Sequence, residues 1–232
     1  MSYEILALGD SASFPEPHAL LEHAARKGEV VIVLGNRIPE ALERLGKLDR
    51  YRAVVIELGM ECLGVYTGES RGEEGSNMLG FARFKLGGDP ASDLVELVRQ
   101  PATPQGAIEA AKATFESAGL KVAVSKDVPG RIVNRLIRPY YNAALRRLDE
   151  GLATASDMDT TLKLGLGYPE GPIGLLERSG LAEHHDISMT LWEAYGDQGY
   201  MPARRAQVAK IRAQIEQQAT SCAERDNEIG GE

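Results

Sequence analysis

Glu96 stands in Leu94-Val95-Glu96-Leu97-Val98, a carboxylate inside a run that otherwise reads as a covered strand. Such a side chain either faces water at a sheet edge or is neutralised by a cation. Arg83 and Lys85, in Gly80-Phe81-Ala82-Arg83-Phe84-Lys85, are the expected partners. Asn134 poses a similar question. Ile132, Val133, Leu136, Ile137, Tyr140, Tyr141, Ala144, Leu145 and Leu148 recur at helical spacing and predict one broad apolar face. Arg131, Arg135, Arg138, Asn142 and Arg146 fall on the opposite face. Asn134 falls at the edge of the apolar one, where an amide needs a hydrogen-bond partner or a ligand. The residues alone leave both open, a tie to the backbone of the preceding sheet region or a ligand contact. His18, His23, His184 and His185 are expected at the surface or at helix termini, not as proton-transfer groups. Cys62 and Cys222 lie far apart with no other cysteine or histidine near them, so two free thiols are expected, with no disulfide framework and no metal site.

These groups are carried by a chain of 232 residues, 43% of them hydrophobic, with a formal net charge of −8 and a pI near 5.2. An acidic surface repels phosphate backbones, which argues against nucleic acid as a partner. No apolar run is long enough for a membrane span and the first residues do not read as a signal peptide, so no membrane is expected and the cytoplasm is the default. Short Val/Ile-rich runs at 3–8, 29–34, 53–58, 78–84, 94–98 and 120–124 predict strands. Helical spacing at 18–27, 39–48 and 104–118 alternates with them, the pattern of a parallel sheet wound in βαβ units. The polar stretch from Met60 to Asn77 reads as an exposed loop. From Arg131 onward only helices are predicted, at 131–148, 156–166, 173–178, 182–195 and 202–217, with Ser156 and Asp159 as an N-terminal signal and Pro139 as a kink near Arg135.

Two further runs carry a resemblance: Asp127-Val128-Pro129-Gly130-Arg131-Ile132-Val133-Asn134-Arg135-Leu136, and Lys163-Leu164-Gly165-Leu166-Gly167-Tyr168-Pro169-Glu170-Gly171-Pro172. Together with the stretch up to Leu181 they resemble the junction and the Gly/Pro-rich segment of the 3-hydroxyacyl-CoA dehydrogenase family. The resemblance implies an α/β protein: a truncated Rossmann-like parallel sheet domain at 1–126, then an all-α domain of the 6-phosphogluconate dehydrogenase C-terminal type at 127–220, then a flexible tail at 221–232. It also implies a homodimer formed through the helical domain. The region ahead of the junction is short for the family, so at least one βα unit is expected to be missing.

The same resemblance assigns roles. Asn134 matches the asparagine that contacts the acyl thioester, and Glu96 matches the acid that orients the catalytic imidazole. Ala82 falls where that imidazole belongs and Lys85 where an asparagine belongs. Val65-Tyr66-Thr67-Gly68-Glu69-Ser70 loosely resembles the loop that holds the substrate hydroxyl, which makes Ser70 a candidate. Of the glycine-rich cradle for NAD, Gly9-Asp10-Ser11-Ala12-Ser13-Phe14 keeps only Gly9, and Asn36 stands near the position of the ribose-binding acid. The expectation is a dimeric, catalytically impaired relative with no cofactor, holding an acyl-CoA-like ligand or a partner, with Arg83 and Lys85 available to anionic groups. The alternative is an active, compact NAD-dependent enzyme using Glu96, Asn134 and an unrecognised base.

Overall fold

The computed structural model describes residues 2–229, in two compact units that divide between Val133 and Asn134. The first unit is built on six strands: β1 (Tyr3–Ala7), β2 (Val30–Leu34), β3 (Ala53–Glu57), β4 (Met78–Arg83), β5 (Leu94–Arg99) and β6 (Lys121–Lys126). Its helices are α1 (Ala19–Glu22), α2 (Ile38–Leu45), α3 (Gly64–Thr67) and α4 (Gln105–Ser117). Every residue of β2 and β3 is buried, as continuous Val/Ile runs require when both faces of a strand are covered. Each such side chain contributes roughly 1.5–3 kcal/mol. The helix expected at 18–27 shrinks to the single turn of α1, and the stretch read as loop contains the single turn of α3.

The sheet departs from the expected all-parallel arrangement at one place. β4 and β5 pair antiparallel, with Phe81 opposite Leu97 and Ala82 opposite Glu96, while β1 to β4 are mutually parallel and β5 is parallel to β6. The strands lie in simple chain order, β1-β2-β3-β4-β5-β6. Leu20 of α1 and Phe115 of α4 pack with Ile32 and Val55 on one face. Ile38 of α2 and Leu63, just ahead of α3, pack with Val33 and Ile56 on the other. Successive crossovers that move the same way across a sheet but on opposite faces have opposite hands. The connections through α2, α3 and α4 share one hand, because β5 and β6 run in reverse, whereas the one through α1 has the other. Right-handed crossovers make up about 98% of cases, which marks β1-α1-β2 as the left-handed exception. In a doubly wound sheet the first right-handed crossover leads to a strand on the far side of β1, and the resulting reversal of strand order makes the dinucleotide crevice. Here α1 keeps the face and the strand beyond is missing, so the described sheet has no reversal.

The second unit consists of α5 (Val133–Asp149, entered one residue before the division), α6 (Ala155–Leu166), α7 (Pro172–Ser179), α8 (Leu181–Tyr195) and α9 (Arg204–Ile229). Pro139 has no N–H to give to the carbonyl of Arg135, and the Tyr200 hydroxyl donates to that oxygen instead, at 3.2 Å. The start of α6 is capped by Thr154, whose hydroxyl accepts from the Asp157 N–H, and not by Ser156. Asp159 accepts from the N–H groups of Ile173 and Gly174 at 2.9 and 2.8 Å, capping α7. The helix expected to end near Gln217 continues to Ile229, and the last residues of the expected tail, 230–232, lie outside those described.

The face of α5 is a second correction. Its buried residues are Asn134, Arg138, Tyr141, Asn142, Ala144 and Leu145, while Leu136 is 71% exposed. Two residues expected on the solvent side are inside, and one expected inside is out.

Candidate functional site

The carboxyl ends of β1, β2 and β3 are where an α/β sheet offers a ligand its backbone donors. In this chain they converge on an internal acid. Glu57, at the end of β3 and 5% exposed, accepts from the Ser13 N–H at 2.6 Å and the Gly35 N–H at 2.8 Å. Ser11, at the second glycine position of the cradle, accepts from the Phe14 N–H at 2.9 Å. Gly9, with φ of +79°, and Asn36 are brought together: a Cβ on Gly9 would stand 2.1 Å from the Asn36 Oδ1. The two expected cofactor residues are therefore neighbours, but the N–H groups beside them already hold a carboxylate. A pyrophosphate placed there would meet Glu57, Asp10 and the Ser11 side chain. These residues do not fit NAD in the manner of a glycine-rich cradle.

Glu96 is 1% exposed, and its partner is neither Arg83 nor Lys85. Its Oε1 accepts from the N–H groups of Ile132 and Val133 at 2.7 and 2.8 Å, at the start of α5, and its Oε2 lies 3.6 Å from Nε of Arg131. Arg131 is itself 6% exposed and adopts a left-handed φ of 51°. Sequence reading put it on the exposed side of the helix, yet it turns inward just ahead of it. Burial lowers its pKa, against the opposing pull of Glu96.

Arg83 is held by carbonyls: Nε donates to Ser92 O, Nη1 to Ser13 O and Nη2 to Ala91 O, at 2.8, 2.8 and 2.9 Å, with the guanidinium over the Phe14 ring. That arrangement corrects its expected availability to anions, since its donors fix the loop after β1. Lys85 is partly exposed, and Ser70 is exposed, with its N–H donated to Glu74 at 3.1 Å. The structure therefore does not gather Ser70, Arg83 and Lys85 around Glu96. In this unit His18 caps α1, its Nδ1 accepting from the Leu20 N–H, and His23 is exposed. Cys62 is a half-buried free thiol whose pKa burial pushes up to about 11, and the Cys222 side chain lies outside those described. Among the described residues no group of three or more His, Cys, Asp or Glu could hold a metal ion.

The helical unit contains an arrangement that sequence reading missed. Arg138, 1% exposed, donates from Nε to the Asn134 Oδ1 and from Nη1 to the His184 Nδ1, both at 3.0 Å. Since arginine only donates, His184 carries its proton on Nε2 and gives it to the Asn142 Oδ1 at 3.0 Å. The Asn142 Nδ2 reaches Ser188 Oγ and the carbonyls of Gly199 and Tyr200 at 3.1 to 3.3 Å. His184 is thus buried, not superficial. Burial, then the Arg138 charge, lower its pKa to about 3, and burial lowers that of Arg138 to about 10. The signal was present as a polar stripe: Asn134, Arg138 and Asn142 repeat every four residues, as do His184 and Ser188. Asn134, the expected thioester contact, thus orients a buried guanidinium.

Residues 130–218 match the family model described as 3-hydroxyacyl-CoA dehydrogenase, C-terminal domain. In this segment the chain is similar to the 3-hydroxyacyl-CoA dehydrogenase C-terminal domain. A 3-hydroxybutyryl-CoA dehydrogenase of Bradyrhizobium diazoefficiens is 39% identical over 113 residues, 49% of this chain and 39% of that protein. The human mitochondrial hydroxyacyl-coenzyme A dehydrogenase is 42% identical over 92 residues, 40% of this chain and 29% of the relative. The match thus spans well under half of those curated relatives. Among solved structures, the (S)-3-hydroxybutyryl-CoA dehydrogenase from Ralstonia eutropha superposes with a TM-score of 0.63 at 25% identity, covering 77% of this chain and 64% of that one. For the Escherichia coli K12 3-hydroxybutyryl-CoA dehydrogenase the TM-score is 0.67 at 24% identity, over 86% and 42% of the two chains, a likeness of fold. The matched segment contains Asn134 and the whole Arg138–His184–Asn142 network. Glu57, Ala82 and Glu96 lie ahead of it.

Proposed function

We propose that the chain is a dimeric, catalytically impaired 3-hydroxyacyl-CoA dehydrogenase relative of the cytoplasm that binds an acyl-CoA-like ligand or a partner. One juxtaposition carries this reading: across the β4–β5 ladder, Ala82 stands opposite a glutamate already engaged by the Ile132 and Val133 N–H groups. Oxidation of a 3-hydroxyacyl thioester needs a base for the hydroxyl proton and an acid that orients that base. A methyl group cannot accept the proton, and Glu96 serves a helix start. The filled crevice at Glu57 supports loss of NAD binding as well. The names of the relatives favour the opposite reading, an active NAD-dependent dehydrogenase, and an assay separates the two. With acetoacetyl-CoA and NADH, no turnover is expected, and Ala82→His alone is not expected to create any. A rate above about 1 s⁻¹, an ordinary enzyme rate, would overturn the proposal. Calorimetric titration with each compound separately is expected to give heat with the thioester and none with NADH.

The dimer rests on uncovered apolar surface. α6 has no buried residue, with Leu164 and Leu166 exposed by 83% and 64%, and α9 exposes Val208, Ile211 and Ile215 at helical spacing. Val208, Ile211 and Ile215 share one face of α9, and an exposed apolar helix face is a mark of an interaction surface. Sedimentation equilibrium is expected to give twice the chain mass, and Leu164→Asp combined with Ile211→Asp to give a folded monomer. A monomeric parent chain would remove the dimer from the proposal.

A further inference from the structure

A cavity of about 380 Å³ opens at the carboxyl ends of β5 and β6, lined by Arg99, Pro101, Lys126, Asp127, Glu69 and Glu74. A second, of about 320 Å³, shares Glu69 and Glu74 with it and is lined further by Thr67, Ser70, Glu73 and Gln100. Both lie within the first unit, away from the ends of β1 to β3. Volumes of this order suit small-molecule sites.

Gln100 is the unusual member. Its side chain is fully buried, and neither its Nε2 nor its Oε1 has a hydrogen-bond partner. Val98, two residues earlier, packs into the cluster beneath α2 and α3, so strand alternation directs Gln100 to that same side, where the 67–76 segment forms the cavity wall. A buried donor and acceptor left without partners destabilise the fold. The backbone around it is tightly fixed. The Gln100 N–H bonds the Thr103 hydroxyl at 3.0 Å and the Ala102 N–H bonds the Glu74 carbonyl at 2.9 Å. Gly75 lies so close that a Cβ would stand 2.4 Å from the Thr103 nitrogen. The amide is thus a buried polar group for which the described residues supply no partner.

The charges in the walls divide into engaged and unengaged. Glu74 accepts from the Ser70 and Gly72 N–H groups, and Asp127 from those of Leu63 and Gly64. The side chains of Arg99, Lys126, Glu69 and Glu73 have no ion-pair or hydrogen-bond partner among the described residues. Arg99, Lys126 and Glu69 line the first cavity, and Glu69 and Glu73 the second, a mixture of unengaged charges that favours neither a simple anion nor a simple amine.

We infer that the two adjacent cavities, which share Glu69 and Glu74 in their walls, bind a small amino carboxylate, its acidic group against Arg99 and Lys126, its ammonium against Glu69 and Glu73, and a carbonyl or amide edge on Gln100. Of the residues assigned to thioester or NAD binding the site shares only Ser70, which lines the second cavity, and it does not depend on whether the dehydrogenase reaction survives. The experiment is calorimetric titration of the full chain with L-glutamine, glycylglycine, ethylammonium, acetate and AMP. Saturable binding of L-glutamine or glycylglycine is expected, about tenfold or more tighter than ethylammonium or acetate alone. Gln100→Leu, and separately Arg99→Ala with Lys126→Ala, are each expected to weaken that binding by about tenfold or more. Thermal melts establish that each variant is folded, and the surface double variant carries the test if Gln100→Leu is not. Silence for both zwitterions, acetate binding as tightly as they do, AMP as the sole ligand, or undiminished affinity in the folded variants would each overturn the assignment.

Discussion

Replacing Glu96 by alanine is expected to lower the free energy of unfolding by about 3–5 kcal/mol, the range for breaking a buried ion pair from one side. Two effects combine. The Ile132 and Val133 N–H groups at the start of α5 lose a charged acceptor, and the Arg131 guanidinium, 6% exposed, is left without its counter-ion. Arg131 also sits at a positive φ, a conformation that costs of order 1–3 kcal/mol and persists only when its surroundings hold it. Glu96→Gln keeps an acceptor of the same shape and is expected to lose less, about 1–3 kcal/mol. Urea denaturation at neutral pH measures both. A loss below about 1 kcal/mol for the alanine variant would mean that Glu96 is not the anchor described and would reopen its role as a catalytic acid.

Stability is expected to fall steeply in mild acid because of His184. Burial and Arg138 hold its pKa near 3 in the folded chain, against an unfolded value of about 6.5. Between those limits the unfolded chain binds a proton that the folded one refuses, so stability rises with pH across this window. The contribution is fully present above about pH 6.5 and is lost as the pH falls toward 3, by up to about 1.4 kcal/mol per unit. Carboxylates titrate in the lower part of the same range, so the informative comparison is with His184→Gln, which keeps an acceptor for Arg138 and cannot charge. Between pH 6.5 and 5 the parent should lose stability by about that slope while the variant stays nearly flat. Parallel curves for the two proteins would show that His184 is not held neutral.

Both results turn on groups that sequence reading treated unevenly. The strands were legible because Val30–Leu34 and the stretch from Ala53 to Ile56 are unbroken β-branched and aliphatic runs, as a doubly covered strand requires. The antiparallel step was legible too, and overlooked: ten residues separate Arg83 from Leu94, and a parallel crossover needs a dozen or more. For Glu96 the sequence leaves open an edge position facing water or, the favoured reading, an ion pair with Arg83 or Lys85, but its partner is Arg131, which helical periodicity assigns to the outside. Only the left-handed turn at that residue swings it inward. Glu57 gave no signal, since an acid at a strand end ordinarily faces water. Arg138 and His184 were misplaced because a hydropathy pattern counts polar residues as surface, whereas here a stripe of them satisfies itself in the interior.

The crossover of unusual hand at β1 has a consequence for how molecules meet in solution. Among the described strands β1 has β2 as its sole neighbour, so one margin of Tyr3–Ala7 faces outward with backbone donors and acceptors that a foreign strand could copy. The returning chain partly closes that margin, the Ala25 N–H bonding the Tyr3 carbonyl at 2.8 Å. The irregular stretch after α1 therefore acts as a selvedge, finishing a fabric cut short so that it does not unravel into filaments.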